Sequence, residues 1–465
     1  MFSDKMGINN TVRGEMMSLA EQRLLNQSVT KSFFQYFLPT LAGMMLMSAN
    51  IVIDGIFVGN GVGSVALASV NVAVPAWSVI ISISLLIGIG GGTVYSIANG
   101  EHDTDKAQRI FTLAMILATI VMTILGIISY IAVEPLARLF GANAETLPYA
   151  VIYMQIIFLW APILAWENVL SIFVRNDGSP QLAMAGLVVS ALLNIVLNYW
   201  MIFILEMGVR GAALASVIAT AAGLLIYCIH FFKKDAGLKF TRLSWRKDDI
   251  LTVGKLGFPN FLSEAGTGVF VIGYNIALSY YAGTTGLAAF SVINYLHTFM
   301  FLAFIGIGSS IQPMISFYYG ANKYDSIKNT VKIAEITGIA LGVLFLGIGW
   351  FGAGGLVSIF GVETETIRQL ASKGITLFFI GYLFMGINFI YMTYYQSIAY
   401  VRPSIGITLF RGFILLIAAL AILPAWIGTA GIWLALPVAE GLTAIFLMLF
   451  ARRNVMNRPL QSRGY

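Results

Sequence analysis

Apolar residues along this chain do not alternate with polar ones but persist for about twenty or more positions at a time. Twelve such runs are recognisable, at 33 to 58, 66 to 98, 109 to 134, 148 to 175, 181 to 205, 209 to 232, 256 to 281, 287 to 318, 330 to 352, 371 to 398, 404 to 424 and 428 to 451. A helix of about 20 residues crosses the ~30 Å hydrocarbon core of a bilayer. Barrel strands alternate over about ten residues and face a polar lumen, so unbroken runs predict helices. The pattern therefore predicts an all-α polytopic membrane protein with twelve transmembrane helices.

Composition sharpens this reading. Of 465 residues 58% are hydrophobic and 10% charged, against about 25% charged in soluble domains, so lipid is the main solvent. The net charge of +6 invites an anionic partner such as nucleic acid, but its distribution argues against one. With the N-terminus inside, Lys and Arg crowd the inner segments: before 33, near 106, at Arg175, from Lys233 to Lys255, near Lys328, at Arg402 and at the C-terminus. The outer loops carry Arg138, Arg210, Arg368 and Lys373. This is the preference of basic residues for cytoplasmic loops, and it predicts a multi-pass inner-membrane protein with both termini cytoplasmic. The first 31 residues lack a short apolar core and small-residue cleavage site, so no removable signal is expected. The single cysteine, Cys228, excludes an internal disulfide and a cysteine-based metal site.

The chain also repeats itself. Displaced by 220 residues without a gap, Pro39 falls on Pro259, Gly63 on Gly283, Gly100 on Gly320, Asp105 on Asp325, Asn168 on Asn388, and Gly208 and Gly211 on Gly428 and Gly431. Phe140-Gly141 likewise falls on Phe360-Gly361, and Glu145-Thr146 on Glu365-Thr366. The interval holds six spans, an even number, so the copies are parallel and related by an axis along the membrane normal. The domains expected are a segment 1–31, a first lobe 32–232, a polar linker 233–255, a second lobe 256–452 and a tail 453–465.

Ionisable groups within spans are costly and usually face a cavity or a partner. Asp54, in NIVIDGIFVGN, either binds a cation or proton or caps a hydrated helix end. Asn194 and Asn198, one helical turn apart in LLNIVLNYW, share a face. They either supply neutral ligands beside Asp54 or hydrogen-bond between helices. Glu264 in the seventh span is the acidic group offered by the second half, for cation coupling or a structural hydrogen bond. Glu167, Asn388, Arg411 and Glu440 are further intramembrane polar groups, and Glu167 and Arg411 are candidates for an ion pair. His297 and Glu335 read as a core hydrogen-bonder and an interfacial acid. Tyr274 is among the aromatic residues able to hold an organic cation, although packing accounts for most of them.

GIGGGT at 88 to 93 has no following lysine and lies inside a span, so it is no nucleotide-binding loop. Histidines at 102, 230 and 297 do not supply a convergent enzymatic site. No catalytic residue, resident metal or cofactor is expected.

Several segments together resemble the multidrug and toxic compound extrusion (MATE) family across all twelve spans. They are Pro39 to Gly59 with Asp54 ahead of its Phe-Val-Gly, Arg175-Asn176-Asp177-Gly178 leading to LLNIVLN, Gly208-x-x-Gly211-Ala-Ala-Leu-Ala, and QPMISFYYG from Gln312 to Gly320. The resemblance implies two six-helix lobes in a V, alternating access, and multidrug antiport: export of cationic, lipophilic compounds against H⁺ or Na⁺, by a monomer. It implies that Asp54 and Asn194 bind the coupling ion, that Ser216 fills a hydroxyl position there, and that Glu264, Tyr274, Asn388 and Glu167 are candidates for substrate or a second coupling site. If the ion is Na⁺, its ligands are Asp54, Asn194 and Asn198. The chain departs from the family pattern at Asn198, where several members carry a second aspartate, and at Asn388, where some carry a carboxylate. The alternative is a flippase or exporter of lipid-linked sugars from the related superfamily, which would need a cluster of cavity Arg and Lys. A major facilitator porter would need a basic loop that NGEHDTDKAQR does not match.

Overall fold

In the computed structural model the described residues are 19–452 and Val455, apart from 235, 243 and 361–363. Segment 1–18, the remainder of the tail and the Gly361 member of the repeat lie outside them. Among the described residues there is helix and no strand.

After a short helix Leu19–Asn26 come the spans α1 (Val29–Gly61), α2 (Val65–Gly100) and α3 (Thr104–Ile131). The fourth, α4, is a pair, Leu147–Leu159 and Ala161–Asn176, bent by 56°. Next are α5 (Pro180–Ile204) and α6 (Gly208–Phe232). One unbroken run, Lys247–Gly320, is turned at Gly283 and supplies two spans, α7 (247–282) and α8 (284–320). The series closes with α9 (Tyr324–Ile359), α10 (Glu365–Ser397), α11 (Val401–Ile427) and α12 (Thr429–Ala451). Twelve spans are thus present among the described residues, at the positions expected from the apolar runs.

The repeat is visible in the backbone. Gly63 and Gly283 both have positive φ, 111° and 58°, and so do Gly208 and Gly428, 56° and 62°. His102 and Asn322, also 220 apart, both adopt left-handed turns at 62° and 56°. A left-handed turn is readily available to glycine, and it lets one span end and the next begin without a long loop. Other boundaries are set by capping: the Asp103 carboxylate accepts from the Lys106 N–H at 2.9 Å to open α3, as expected of an N-cap aspartate.

Inside lipid there is little hydrophobic drive between helices, and small residues set how closely backbones approach. At Gly342, α9 lies so close to α10 that a Cβ would stand 2.9 Å from the Leu383 Cα. The two six-helix halves meet mainly at the end that carries the linker. There α2 crosses the start of α7 and the end of α8. The linker lies along α3, where the Phe111 and Phe240 rings stand 4.9 Å apart; the last part of the expected linker, from Lys247, is the start of α7, where Asp249 pairs with Arg109 at 3.0 Å.

Candidate functional site

The first half gathers its polar residues at one place, between α1, α5 and α6. Asn50 and Asp54 stand one turn apart on α1, facing Asn194 and Asn198, one turn apart on α5. Two i, i+4 pairs on facing helices bring four polar groups together. Asn198 Nδ2 donates to Asp54 Oδ1 at 2.5 Å and to Asn194 Oδ1 at 3.0 Å. Asn50 Nδ2 donates to Asn194 Oδ1 at 2.9 Å and to the Ala191 carbonyl at 3.1 Å. Asn194 Nδ2 reaches Ser216 Oγ of α6 at 3.2 Å, and Ser216 is a partner of Tyr153, whose hydroxyl accepts from Trp77 Nε1 at 3.2 Å.

The asparagines are almost completely buried, Asn198 at 1% and Asn194 at 5% exposure, while Asp54 is half-buried. None of the ion pairs among the described residues engages Asp54. Its charge is met by neutral groups alone, which is costly in an apolar setting.

One contact defines the chemistry. Asn194 and Asp54 present side-chain atoms 2.6 Å apart, with the amide oxygen facing the Asp54 carboxylate. Two bare oxygens do not sit at this distance, so a hydrogen lies between the two groups, from the Asp54 carboxyl or from the Asn194 amide. Either Asp54 is protonated and donates to Asn194, or the Asn194 amide turns over, donates to the carboxylate and accepts from Ser216 at 3.2 Å. In either arrangement the cluster holds Asp54 through neutral side chains. The oxygens available to a cation here are those of Asp54, Asn194, Ser216 and Asn198, whose Oδ1 has no partner. Among the described residues no group of three or more His, Cys, Asp or Glu side chains is arranged to hold a metal.

The remaining candidates lie elsewhere. Glu167 accepts from the Tyr227 hydroxyl at 3.3 Å between α4 and α6. The Glu167–Arg411 pairing considered from sequence is not formed: Arg411 Nε holds Glu440 Oε1 at 3.2 Å, because the two residues belong to the same half. Glu440 Oε2 accepts from Asn388 Nδ2 at 2.6 Å, and the guanidinium lies 4.2 Å over the Phe389 ring. Glu264 is half-buried and interacts with Ser78 of the opposite half. Tyr274 is completely enclosed, stacked on Phe290 at 5.0 Å, and its hydroxyl accepts from the Leu436 N–H at 3.1 Å. His297 meets the Tyr382 hydroxyl at 3.1 Å as a core hydrogen-bonder. Glu335 is buried and held by Tyr391 at 2.8 Å and Arg452 at 3.3 Å.

The 220-residue offset explains the asymmetry. It places Tyr274 opposite Asp54, Ile414 opposite Asn194, Ala418 opposite Asn198 and Leu436 opposite Ser216. The hydrogen bond between Tyr274 and Leu436 therefore lies where the first half holds its polar cluster. The second half carries an apolar plug at the equivalent place. Asn50, Tyr153 and Trp77 were missed from sequence. Asn50 was detectable, being one turn before Asp54, whereas Tyr153 and Trp77 join only through folding.

Two parallel six-helix halves closed together at one end form an architecture found among membrane transporters. The profile of the MatE family matches residues 39–200 and 267–422, more than half of the chain, and the chain belongs to that family. It is accordingly a transporter and not an enzyme. It is 26% identical over 426 residues to the multidrug export protein MepA of Staphylococcus saprophyticus, covering 91% of this chain and 93% of that protein. An outward-facing MATE-family multidrug resistance transporter of the MOP superfamily superimposes with a TM-score of 0.89 at 22% identity, covering 95% of this chain and 98% of the other. A MOP superfamily transporter from Pyrococcus furiosus, with a binding pocket of reversed polarity, gives 0.89 at 20% identity and the same coverage. At these identities the likeness is one of fold.

Proposed function

We propose that the chain is a multidrug exporter of the bacterial cytoplasmic membrane that expels cationic, lipophilic compounds in exchange for H⁺, with the linker, residues 233–255, and both termini on the cytoplasmic side. Family membership and the multidrug export relatives support export. The distribution of Lys and Arg supports the orientation. The observation that supports the coupling is that Asp54, within a span, is met by Asn198 and Asn194 and engaged by none of the ion pairs among the described residues, so its charge can be neutralised without breaking one.

In this reading Asp54 is the coupling group, Asn194 and Asn198 hold its two charge states, and Ser216 is the alternative partner of Asn194. A proton arriving from outside neutralises Asp54 and changes which amide groups point at α1. The two transport states then differ in affinity for drug, and that difference couples the two fluxes. Arg411 is already committed to Glu440, which speaks against a cluster of bases for lipid-linked phosphates and for drug export over the flippase alternative. The test is efflux of a fluorescent lipophilic cation from proteoliposomes under an imposed ΔpH or Na⁺ gradient alone. ΔpH-driven efflux that disappears in Asp54→Asn is expected; efflux driven by Na⁺ alone, or unchanged by the substitution, would overturn proton coupling at Asp54.

A further inference from the structure

Where the two halves meet, the repeat closes on itself. Gly100 of α2 and Gly320 of α8 are the same position in the two copies, and they meet each other. A Cβ on Gly100 would run into the Phe317 carbonyl and stand 3.0 Å from the Gly320 Cα. A Cβ on Gly320 would run into the Ile97 carbonyl and stand 3.0 Å from the Glu101 N. Phe317 and Ile97 are themselves 220 apart, so the contacts are reciprocal about the axis relating the halves. No side chain fits on that axis while the linker end is closed.

Gln312 bridges the halves one to two turns away. Its Oε1 accepts from Asn176 Nδ2 at 3.1 Å and its Nε2 donates to Thr93 Oγ1 at 3.3 Å. Asn176 is in turn held by Ser96 at 2.6 Å. All are buried. Each is neutral, so parting the halves exchanges these bonds for bonds to water at little net cost.

We propose that the Gly100–Gly320 crossing is the pivot of the linker-end gate and that Gln312 is its latch, a positioning residue that sets the balance between the two transport states. It rests on the alternating-access reading, but its test does not depend on export. Cys228 is replaced by serine and a reporter cysteine is placed at Val94 of α2, which is buried against Val253 and Leu256 of α7. Labelling by a membrane-impermeant thiol reagent is then followed from the linker side in inside-out vesicles, without drug or ion gradient.

Gly320→Ala and Gln312→Leu should each speed labelling by about tenfold, the expected sign of a shift toward the state open at this end. Gly347→Ala, where an added Cβ meets nothing within 4 Å, should not. Gln312→Leu adds no atom to the axis and carries the test if alanine at 320 does not assemble. Unchanged labelling in the assembled variants would overturn the latch even if export were lost. Absence of gradient-driven efflux from wild type would instead overturn the transport reading and leave the gate standing.

Discussion

At the residue scale, Asp54 and Glu440 are held in opposite ways. Asp54 has neutral partners alone, while Glu440 is held by Arg411 and Asn388. A carboxylate with neutral partners can change its protonation without breaking an ion pair, and this is why coupling is assigned to the first half. Asn198→Leu removes the donor to Asp54 and should abolish ΔpH-driven efflux. Tyr274→Phe, at the equivalent place in the second half, should leave coupling intact, and the same liposome assay reads both. Arg411→Met strands Glu440 inside the second half and should destabilise the protein by about 3–5 kcal/mol, the cost of breaking a buried pair. Adding Glu440→Gln should recover most of that loss in thermal unfolding of detergent-solubilised protein.

At the element scale, glycine sets the path of the chain. Gly283 combines φ 58° with ψ −148° in the turn between α7 and α8, a conformation nearly restricted to glycine. Gly283→Ala should cost about 1–3 kcal/mol of strain, seen as a lower melting temperature. Gly342→Ala forces α9 away from the backbone of α10 and should cost about 1–3 kcal/mol by overpacking. The same change at Gly347, which meets nothing within 4 Å, should be neutral by the same measurement. Sequence periodicity could not separate these glycines, because both lie in one uniformly apolar run, and only the position of the neighbouring helix distinguishes them.

At the scale of the whole molecule, an even number of spans places both ends of the chain on one side. Reporter fusions at the two termini should give the same compartment, the cytoplasm if the basic residues mark the inner side as proposed. The packing of the halves at the linker end, with α2 against α7 and α8, leaves that end sealed by glycine contacts, neutral hydrogen bonds and the Arg109–Asp249 pair.

What the sequence determined by itself was whatever depends on solvent and on repetition. The bilayer demands long apolar helices, so the twelve spans could be counted, and a gapless repeat of six spans implied parallel halves. Asp54, Asn194, Asn198 and Ser216 could be nominated because an ionisable group in lipid must find partners. The tertiary structure alone decided which partners those were. It put Asn50, Tyr153 and Trp77 around the site, gave Arg411 to Glu440 instead of Glu167, enclosed Tyr274 in the core and brought Gly100 onto Gly320. Side chains on different helices meet according to rotation, tilt and depth, and hydropathy, being nearly uniform around a span, carries little record of any of them.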